Sequence, residues 1–156
     1  SQECAKLAAW VASLLGVMPD TIAAGIRCAT LPPGRWEKVR LDQEVTLIND
    51  AYNANFTSVY TALQAFVDQP AKRKVFIFGD MLELGATAKK AHQDIGQIVS
   101  FIGIDKFLSI GPLTRDAHAS IPPDMPSRHY EQWSDDLPAR IAALLEPGDA
   151  PARSIA

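Results

Sequence analysis

Three short apolar runs, each followed by a helical pattern, constrain the fold of this chain more than any other feature. The run KVFIFGD at 74–80 has four consecutive apolar residues, which are followed by Gly79. A strand that is covered on both faces has this composition, because neither of its sides meets solvent. The runs EVTLIN at 44–49 and KFLSIG at 106–111 have the same character. Strands that alternate with helices form right-handed βαβ units, so we predict an α/β fold of three layers with a mainly parallel sheet.

Hydrophobic periodicity and turn residues predict the remaining elements of this domain. The run WEKVRL alternates apolar and polar residues, and we expect it to form a hairpin with 44–49 across Asp42 and Gln43. Ser134 has the residue type and position of a helix cap. The predicted helices are 56–68, 87–102, 112–119 and 134–145, and the further predicted strands are 36–41 and 127–130.

The segment LPPGR at 31–35 is the clearest interruption of the pattern. Two prolines and a glycine cannot continue a helix, and they form a stiff turn or linker. Before this segment, helical spacing predicts one helix at 3–15 and a second that opens at Pro19. We therefore expect a short helical segment at 1–30 and an α/β domain at 31–156.

Charge and composition exclude several classes of partner. The net charge of −3 gives no indication of a nucleic-acid or anionic-membrane partner. The apolar stretches are far shorter than the roughly 20 residues that cross a bilayer, and the N-terminus lacks a signal-peptide pattern. Cys4 and Cys28 match no disulfide or metal motif, which is typical of thiols in a reducing cytosol. We expect a cytoplasmic protein with no membrane partner and no nucleic-acid partner.

Polar residues follow the strand at 44–49, at the strand end where α/β proteins bind ligands. Asp50 could accept hydrogen bonds from ligand hydroxyls, Tyr52 offers a flat face, and the amide of Asn53 could bind polar groups. The same side chains could instead stabilise a turn. Asn55 in particular has the position of an N-cap for the next helix. The residues alone leave both interpretations open.

Two further sets of residues could contact a ligand. Asp80 and Glu83 in GDMLELG follow the second buried strand, and they could recognise a cationic amine or simply be solvated acids. His92 lies near the start of the next helix, where a packing or surface role is the simpler interpretation. Arg35 follows a Pro-Gly turn, and its guanidinium suits a phosphate, although a linker arginine would look the same.

No complete active site is visible in these residues. The sequence contains neither the phosphate-binding pattern G-x-x-x-x-G-K-[ST] nor the dinucleotide pattern G-x-G-x-x-G. The three histidines, His92, His118 and His129, are not spaced as metal ligands. We therefore assign no catalytic residue and no metal site to this chain alone.

Four segments, in this order and at this spacing, resemble the C-terminal domain of the ATP-dependent Mur ligases, enzymes of peptidoglycan synthesis. They are PGRWE, LINDAYNAN, VFIFGDMLELG followed by HQDIG, and IDKFLSIG. The tandem of YNAN and GDMLELG is the specific part of the match. The resemblance covers about residues 1–149 and is strongest to the branch that adds D-alanyl-D-alanine. It implies a Rossmann-like domain, with 1–30 as the end of the family's central domain or a connector from it.

The resemblance also implies a reaction. In the family, the first domain holds the UDP-sugar, the central domain carries the phosphate loop, and the third closes over ATP. The carboxylate of UDP-N-acetylmuramoyl-tripeptide becomes an acyl phosphate, which the amine of D-alanyl-D-alanine attacks. This chain would thus be a cytoplasmic ATP-binding lid that is inactive alone. It would act with the N-terminal and central domains of the same ligase, and the central domain would hold most of the Mg²⁺ coordination.

The resemblance assigns roles to the candidate residues. It implies that Arg35 faces the nucleotide phosphates and Asp50 the ribose, with Tyr52, Asn53 and Asn55 in the same nucleotide-facing loop. Two other interpretations remain open, namely a non-catalytic Rossmann-like binding module and a related Mur-type ligase with another amino substrate. Three residues around the second strand end fall on the D-alanyl-D-alanine side: Asp80, Glu83 and His92.

The end of the chain departs from the family pattern. After EPGD the family continues with a strand and a KGS-like segment, whereas this sequence reads APARSIA, with a proline and no apolar run. We therefore expect the final strand and its basic loop to be absent or altered.

Overall fold

The structure is a computed structural model that describes residues 2–30, 32–41 and 44–154. It divides into two compact units, residues 1–32 and 33–156. The expected hairpin turn at Asp42 and Gln43 lies outside the described residues.

The first unit is a pair of helices, α1 (Gln2–Leu14) and α2 (Pro19–Cys28). Gly16 has a φ of +78° and donates its N–H to the carbonyl of Ser13, so it closes α1 with a backbone conformation that favours glycine. No residue of α2 is buried. Apolar side chains on both helices are also exposed, including Leu7, Trp10 and Leu14 on α1 and Ile26 on α2.

The second unit is built on one six-stranded sheet. The strands are β1 (Glu37–Arg40), β2 (Thr46–Asn49), β3 (Arg73–Gly79), β4 (Lys106–Ile110), β5 (Ser127–Tyr130) and β6 (Asp149–Ser154). Their spatial order is β1-β2-β6-β3-β4-β5. β1 and β2 form the predicted antiparallel hairpin, and all other neighbours in the sheet are parallel.

The expectation that the final strand is absent or altered was wrong, because β6 is present and lies between β2 and β3. A proline weakens a central strand by removing one N–H donor. β6 pairs with β3 along its whole length but with β2 only at Ala152 and Arg153. Pro151 therefore precedes the part of β6 that has partners on both sides. The basic loop of the family, which we also expected to be absent or altered, would follow this strand, outside the described residues.

Helices cover both faces of the sheet, which confirms the predicted three-layer α/β fold. All four helices predicted for this unit were too long, and the largest differences are at 87–102, where the helix ends at Val99, and at 134–145, where it begins only at Leu137. The predicted cap by Ser134 was also wrong. The carbonyl of Ser134 accepts the N–H of Leu137, and a hydrogen bond from the Ser134 side chain lowers the pKa of Asp136. The helices are α3 (Phe56–Val67), α4 (Ala88–Val99, after a 3₁₀ turn at Gly85–Thr87), α5 (Thr114–His118) and α6 (Leu137–Ala142).

Alternation along β3 supplies both hydrophobic cores. Phe76 and Phe78 face the larger core with α3, α4 and α5, whereas Val75 and Ile77 face the smaller core with α6. The rings of Phe76 and Phe78 also lie 6.0 and 6.3 Å from the ring of Phe107 on β4. The two faces of one apolar strand are therefore both buried, as its composition predicts.

A buried ion pair joins the beginnings of β3 and β6. Arg73 donates from Nε and Nη2 to the two carboxylate oxygens of Asp149 at 2.9 and 2.7 Å. Asp149 is only 2% exposed and also accepts the N–H of Glu146. The hydrogen bonds that Arg73 donates to Asp149, together with the charge of that carboxylate, raise the pKa of Arg73. This pair ties the last strand to the centre of the sheet.

Candidate functional site

The antiparallel hairpin brings the segment before β1 beside the segment after β2. Glu37 pairs with Asn49 in the register of the two strands. Just beyond this pair, the N–H of Trp36 donates to Oδ1 of Asp50 at 3.0 Å. Arg35 and Asp50 therefore lie in adjacent loops at the carboxyl end of β2, where a parallel sheet offers its ligand site.

Arg35 and Tyr52 form the exposed surface of this site. The guanidinium carbon of Arg35 lies 4.1 Å from the centre of the Tyr52 ring, a cation–π contact. The N–H of Tyr52 donates to the carbonyl of Gly34, whose φ is +73°. A Cβ at Gly34 would lie 3.4 Å from the Tyr52 nitrogen. The close approach of the two loops thus holds a cation and an aromatic face together, with 62% of Tyr52 exposed.

Glu37 and Trp36 hold this loop, and the sequence-based prediction missed both. Oε2 of Glu37 accepts the N–H of Gly34 and the side-chain amide of Asn49, each at 3.2 Å. Trp36 has a φ of +50°, which is unusual for a side chain of its size. In the predicted hairpin, a two-residue turn at Asp42 and Gln43 would place Glu37 opposite Ile48, so the pairing of Glu37 with Asn49 follows only from the observed register.

Only one of the two carboxylate oxygens of Asp50 has a hydrogen-bond partner among the described residues. Its Oδ1 holds the backbone of Trp36, while the described residues provide no partner for its Oδ2. Asn53 is exposed and likewise has no recorded partner among them. Asn55 caps α3, because its side chain accepts the N–H of Ser58 while Ser58 Oγ accepts the N–H of Asn55. The helix-cap interpretation of Asn55 is confirmed, and any nucleotide contact by its amide stays a prediction.

Asp80 connects the carboxyl end of β3 to a neighbouring loop. Its Oδ1 accepts the N–H groups of Leu113 and Thr114 at 3.0 and 2.9 Å, so the end of β3 is tied to the loop between β4 and α5. Gly111, with a φ of +116°, lies so close that a Cβ there would be 2.5 Å from this carboxylate. One oxygen of Asp80 is therefore structural, and a contact with substrate remains a prediction for the other.

Glu83 and His92 have opposite environments. Glu83 is exposed, has a φ of +62°, and has no recorded partner among the described residues. His92 is fully buried, with both ring nitrogens in hydrogen bonds. The predicted direct contact of His92 with substrate thus has no exposed atom through which to act, and the packing role is favoured.

The carboxyl ends of β2 and β3 lie close together in the sheet. Only β6 lies between β2 and β3 in the sheet. Two interstrand spacings amount to roughly 10 Å. The loops of Arg35 and Asp50 and the loop of Asp80 and Glu83 are therefore neighbours at the carboxyl ends of the parallel strands.

Among the described residues, an apolar groove, possible metal ligands and possible membrane spans add nothing to the predicted site. An apolar groove of about 230 Å³ lies against α6 and includes Leu47, Ile77 and Pro151, but none of the predicted site residues. Within the described ranges, no three side chains are grouped as metal ligands. Among the same residues, no helix is both long enough and apolar enough to cross a membrane.

Two histidines near β5, the edge strand farthest from β1, predict a pH-dependent stability. The rings of His118 and His129 are 5.7 Å apart, and Nδ1 of His118 is buried without a partner among the described residues. Burial and the charge of His129 lower the pKa of His118. The folded state therefore binds this proton less tightly than the unfolded state. The stabilisation is complete above about pH 6.5 and is lost as the pH falls below that value.

We expect the urea midpoint to fall between pH 7 and pH 5, and to fall less in a His118→Gln variant. Carboxylates also titrate toward pH 5, so the informative quantity is the difference between the two slopes. Parallel slopes for the variant and the parent chain would contradict this assignment.

Comparison with known proteins identifies the family. The family model described as Mur ligase, glutamate ligase domain, matches residues 34–150. The UDP-N-acetylmuramoyl-tripeptide–D-alanyl-D-alanine ligase of Escherichia coli is 36% identical over 115 residues, which are 74% of this chain and 25% of that protein. The ligase of the same name from Synechocystis is 30% identical over 143 residues, 89% of this chain and 30% of that protein. The chain thus spans less than a third of these relatives' length.

Solved structures show the same fold. MurF from Acinetobacter baumannii matches with a TM-score of 0.78 at 24% identity, over 93% of this chain and 31% of that one. MurF ligase from Thermotoga maritima, solved in complex with ADP, gives a TM-score of 0.72 at 20% identity, over 94% and 32%. The resemblance that the sequence motifs indicated is therefore confirmed by the family match. The chain belongs to the Mur ligase family, and its α/β unit is a Mur ligase glutamate ligase domain.

Proposed function

We propose that this chain is the C-terminal domain of an ATP-dependent ligase that adds D-alanyl-D-alanine to UDP-N-acetylmuramoyl-tripeptide. The names of the relatives from Escherichia coli and Synechocystis support this substrate pair. The structural observation that carries the proposal is the joining of Arg35, Tyr52 and Asp50 at one end of the sheet. That cluster offers a cation, an aromatic face and a carboxylate oxygen without a recorded partner, which together suit a nucleotide.

Each residue of the cluster has a distinct task in this proposal. Arg35 would bind a phosphate, because its planar guanidinium matches phosphate oxygens. Oδ2 of Asp50 would accept a hydrogen bond from a ribose hydroxyl. Tyr52 holds Arg35 by its ring, and the exposed amides of Asn53 and Asn55 would bind polar groups of the nucleotide. The ADP in the Thermotoga maritima relative supports a nucleotide at this family's sites.

The remaining parts of the reaction belong to other domains. The sequence has no phosphate loop, and the described residues offer no group of metal ligands, so we assign the triphosphate cradle and Mg²⁺ to the central domain. We propose residues 1–30 as the end of that domain or its connector. This chain would be cytoplasmic and inactive alone, and it would close over ATP. Closure of such a lid excludes water, which protects an acyl phosphate from hydrolysis.

Asp50→Ala in the full-length ligase is expected to raise the KM for ATP about tenfold, because a hydrogen bond to a charged group is lost. Steady-state phosphate release measures this effect. Asp50→Asn is the matched control: its amide oxygen still accepts the N–H of Trp36, so it separates ribose binding from support of the loop. An unchanged KM and unchanged turnover in Asp50→Ala would contradict the ribose assignment.

The substrate assignment has its own test. Purified full-length enzyme is given ATP, UDP-N-acetylmuramoyl-tripeptide and either D-alanyl-D-alanine or another amine, and phosphate release is followed. We expect release to depend on D-alanyl-D-alanine. Release that depends on a different amine would make the protein a related Mur-type ligase. An enzyme that releases no phosphate with any amine would favour the non-catalytic binding module.

A further inference from the structure

The proton position on His92 can be deduced from its two hydrogen bonds. The backbone N–H of Met81 donates to Nε2 of His92 at 3.0 Å, so Nε2 carries no proton. Nδ1 lies 2.7 Å from the carbonyl oxygen of Ala88, which can only accept. The ring is therefore neutral with its proton on Nδ1, and both of its nitrogens are occupied. Its face packs at 5.6 Å from the ring of Phe78, so the imidazole cannot turn without disturbing the core.

His92 and the 3₁₀ turn hold a two-residue tip, Leu82 and Glu83, from both sides. On one side, Met81 is fully buried and its N–H is bound by His92. On the other, the carbonyl of Leu84 accepts both the N–H and the hydroxyl of Thr87, at 3.1 and 2.8 Å. Glu83 has a φ of +62° between these supports. A non-glycine residue persists in that conformation only where its surroundings impose it.

The partner of His92 distinguishes this arrangement from ordinary core packing. If His92 only filled space in the core, leucine could replace it without leaving any other polar group unpaired. Here the ring accepts a hydrogen bond from a buried backbone N–H in a loop, and leucine would leave that N–H without a partner. The relaxed loop would no longer impose the conformation of Glu83.

We propose that His92 is a positioning residue that holds Glu83 toward the cationic amine of the incoming substrate. This inference rests on the proposed function, since it places the amine at the end of β3. A carboxylate suits an ammonium group, and the exposed Glu83 side chain has no recorded competitor among the described residues. His92 itself contacts no substrate and acts through the backbone of Met81.

Steady-state kinetics of the full-length ligase test the inference, with His92→Gln as the conservative partner of His92→Leu. The amide oxygen of glutamine can accept the N–H of Met81, whereas leucine cannot. We expect His92→Leu to raise the KM for the amine at least about tenfold, because small displacements of a binding group have effects of this size, and to change the KM for ATP less than about twofold. His92→Gln should stay within about threefold of the parent for both substrates. Equal effects of leucine and glutamine, or parallel rises in both KM values, would overturn the positioning role.

Hydrogen exchange of the Met81 amide supplies a readout that needs no activity. In the 156-residue chain, this amide should be protected in the parent and in His92→Gln, and it should exchange much faster in His92→Leu. If His92→Leu does not fold, the parent and His92→Gln still test the inference. A Met81 amide that exchanges without protection in the parent would contradict it. A tenfold rise in the KM for the amine in His92→Gln would also contradict it. A parent enzyme that uses a different amine would contradict the substrate assignment alone, because the positioning role is then measured with that amine.

Discussion

Asp149→Ala is expected to lower the free energy of unfolding by about 3–5 kcal/mol, the usual result of removing one partner of a buried ion pair. The loss has two sources. Arg73 would keep its charge in a partly buried site without the two hydrogen bonds that Asp149 accepts. The N–H of Glu146 would also lose its acceptor. Urea unfolding of the chain, followed by circular dichroism, measures the change.

An ion pair on the surface of α4 provides the control for Asp149→Ala. Lys90 and Asp94 are paired one helical turn apart, and 74% of the lysine side chain is exposed. Asp94→Asn should therefore lower stability by less than about 0.5 kcal/mol. Similar losses for the Asp149 and Asp94 variants would show that the pair with Arg73 does not hold β6 in place.

Phe78→Ala is the second substitution with a large expected effect, a loss of about 3–5 kcal/mol. The Phe78 side chain is fully buried near the carboxyl end of β3. Its ring lies 5.8 Å from that of Phe76 and 6.3 Å from that of Phe107, so its removal leaves a cavity between two strands and α4. The same urea experiment measures the loss. Phe78→Leu, which fills most of the space, should lose about 1–1.5 kcal/mol.

Phe78 also connects the core to the proposed site, because its ring supports His92. We therefore expect the folded Phe78→Leu enzyme to show a higher KM for the amine than the parent. If Phe78→Ala lowers the free energy of unfolding by less than about 1.5 kcal/mol, the neighbouring rings close the cavity. Phe78 would then not hold His92 in place.

Local patterns were sufficient for elements whose burial follows from their own residues. β3 and β4 were predicted to within one residue at each end, because apolar runs need no information from distant segments, and β5 was predicted with its observed bounds although Ser127, Arg128 and His129 are polar. β6 could not be recognised in this way. Ala150, Pro151 and Ala152 are small, and they form a strand because β3 supplies partners along the whole segment. That pairing is a property of the tertiary fold, which local sequence does not contain.

The candidate site was predictable to a similar extent. The hairpin prediction was enough to bring Arg35 near Asp50, but the division of the Asp50 carboxylate between the loop and solvent needs coordinates. The burial of His92 had a signal that was not used. His92, Ile95 and Val99 recur at helical spacing, and all three are buried on one face of α4. A histidine in such a stripe is more simply explained as a core residue than as a ligand contact.

The position of β6 has a consequence for synthesis on the ribosome. Five strands leave the exit tunnel before residues 149–154, yet in the sheet β2 and β3 do not pair with each other and are connected through this strand. Until it emerges, the hairpin and the three strands β3, β4 and β5 cannot form one sheet, and each part has an open edge that can pair with another chain. Premature termination upstream of residue 149 would therefore leave two aggregation-prone halves rather than a slightly shortened domain.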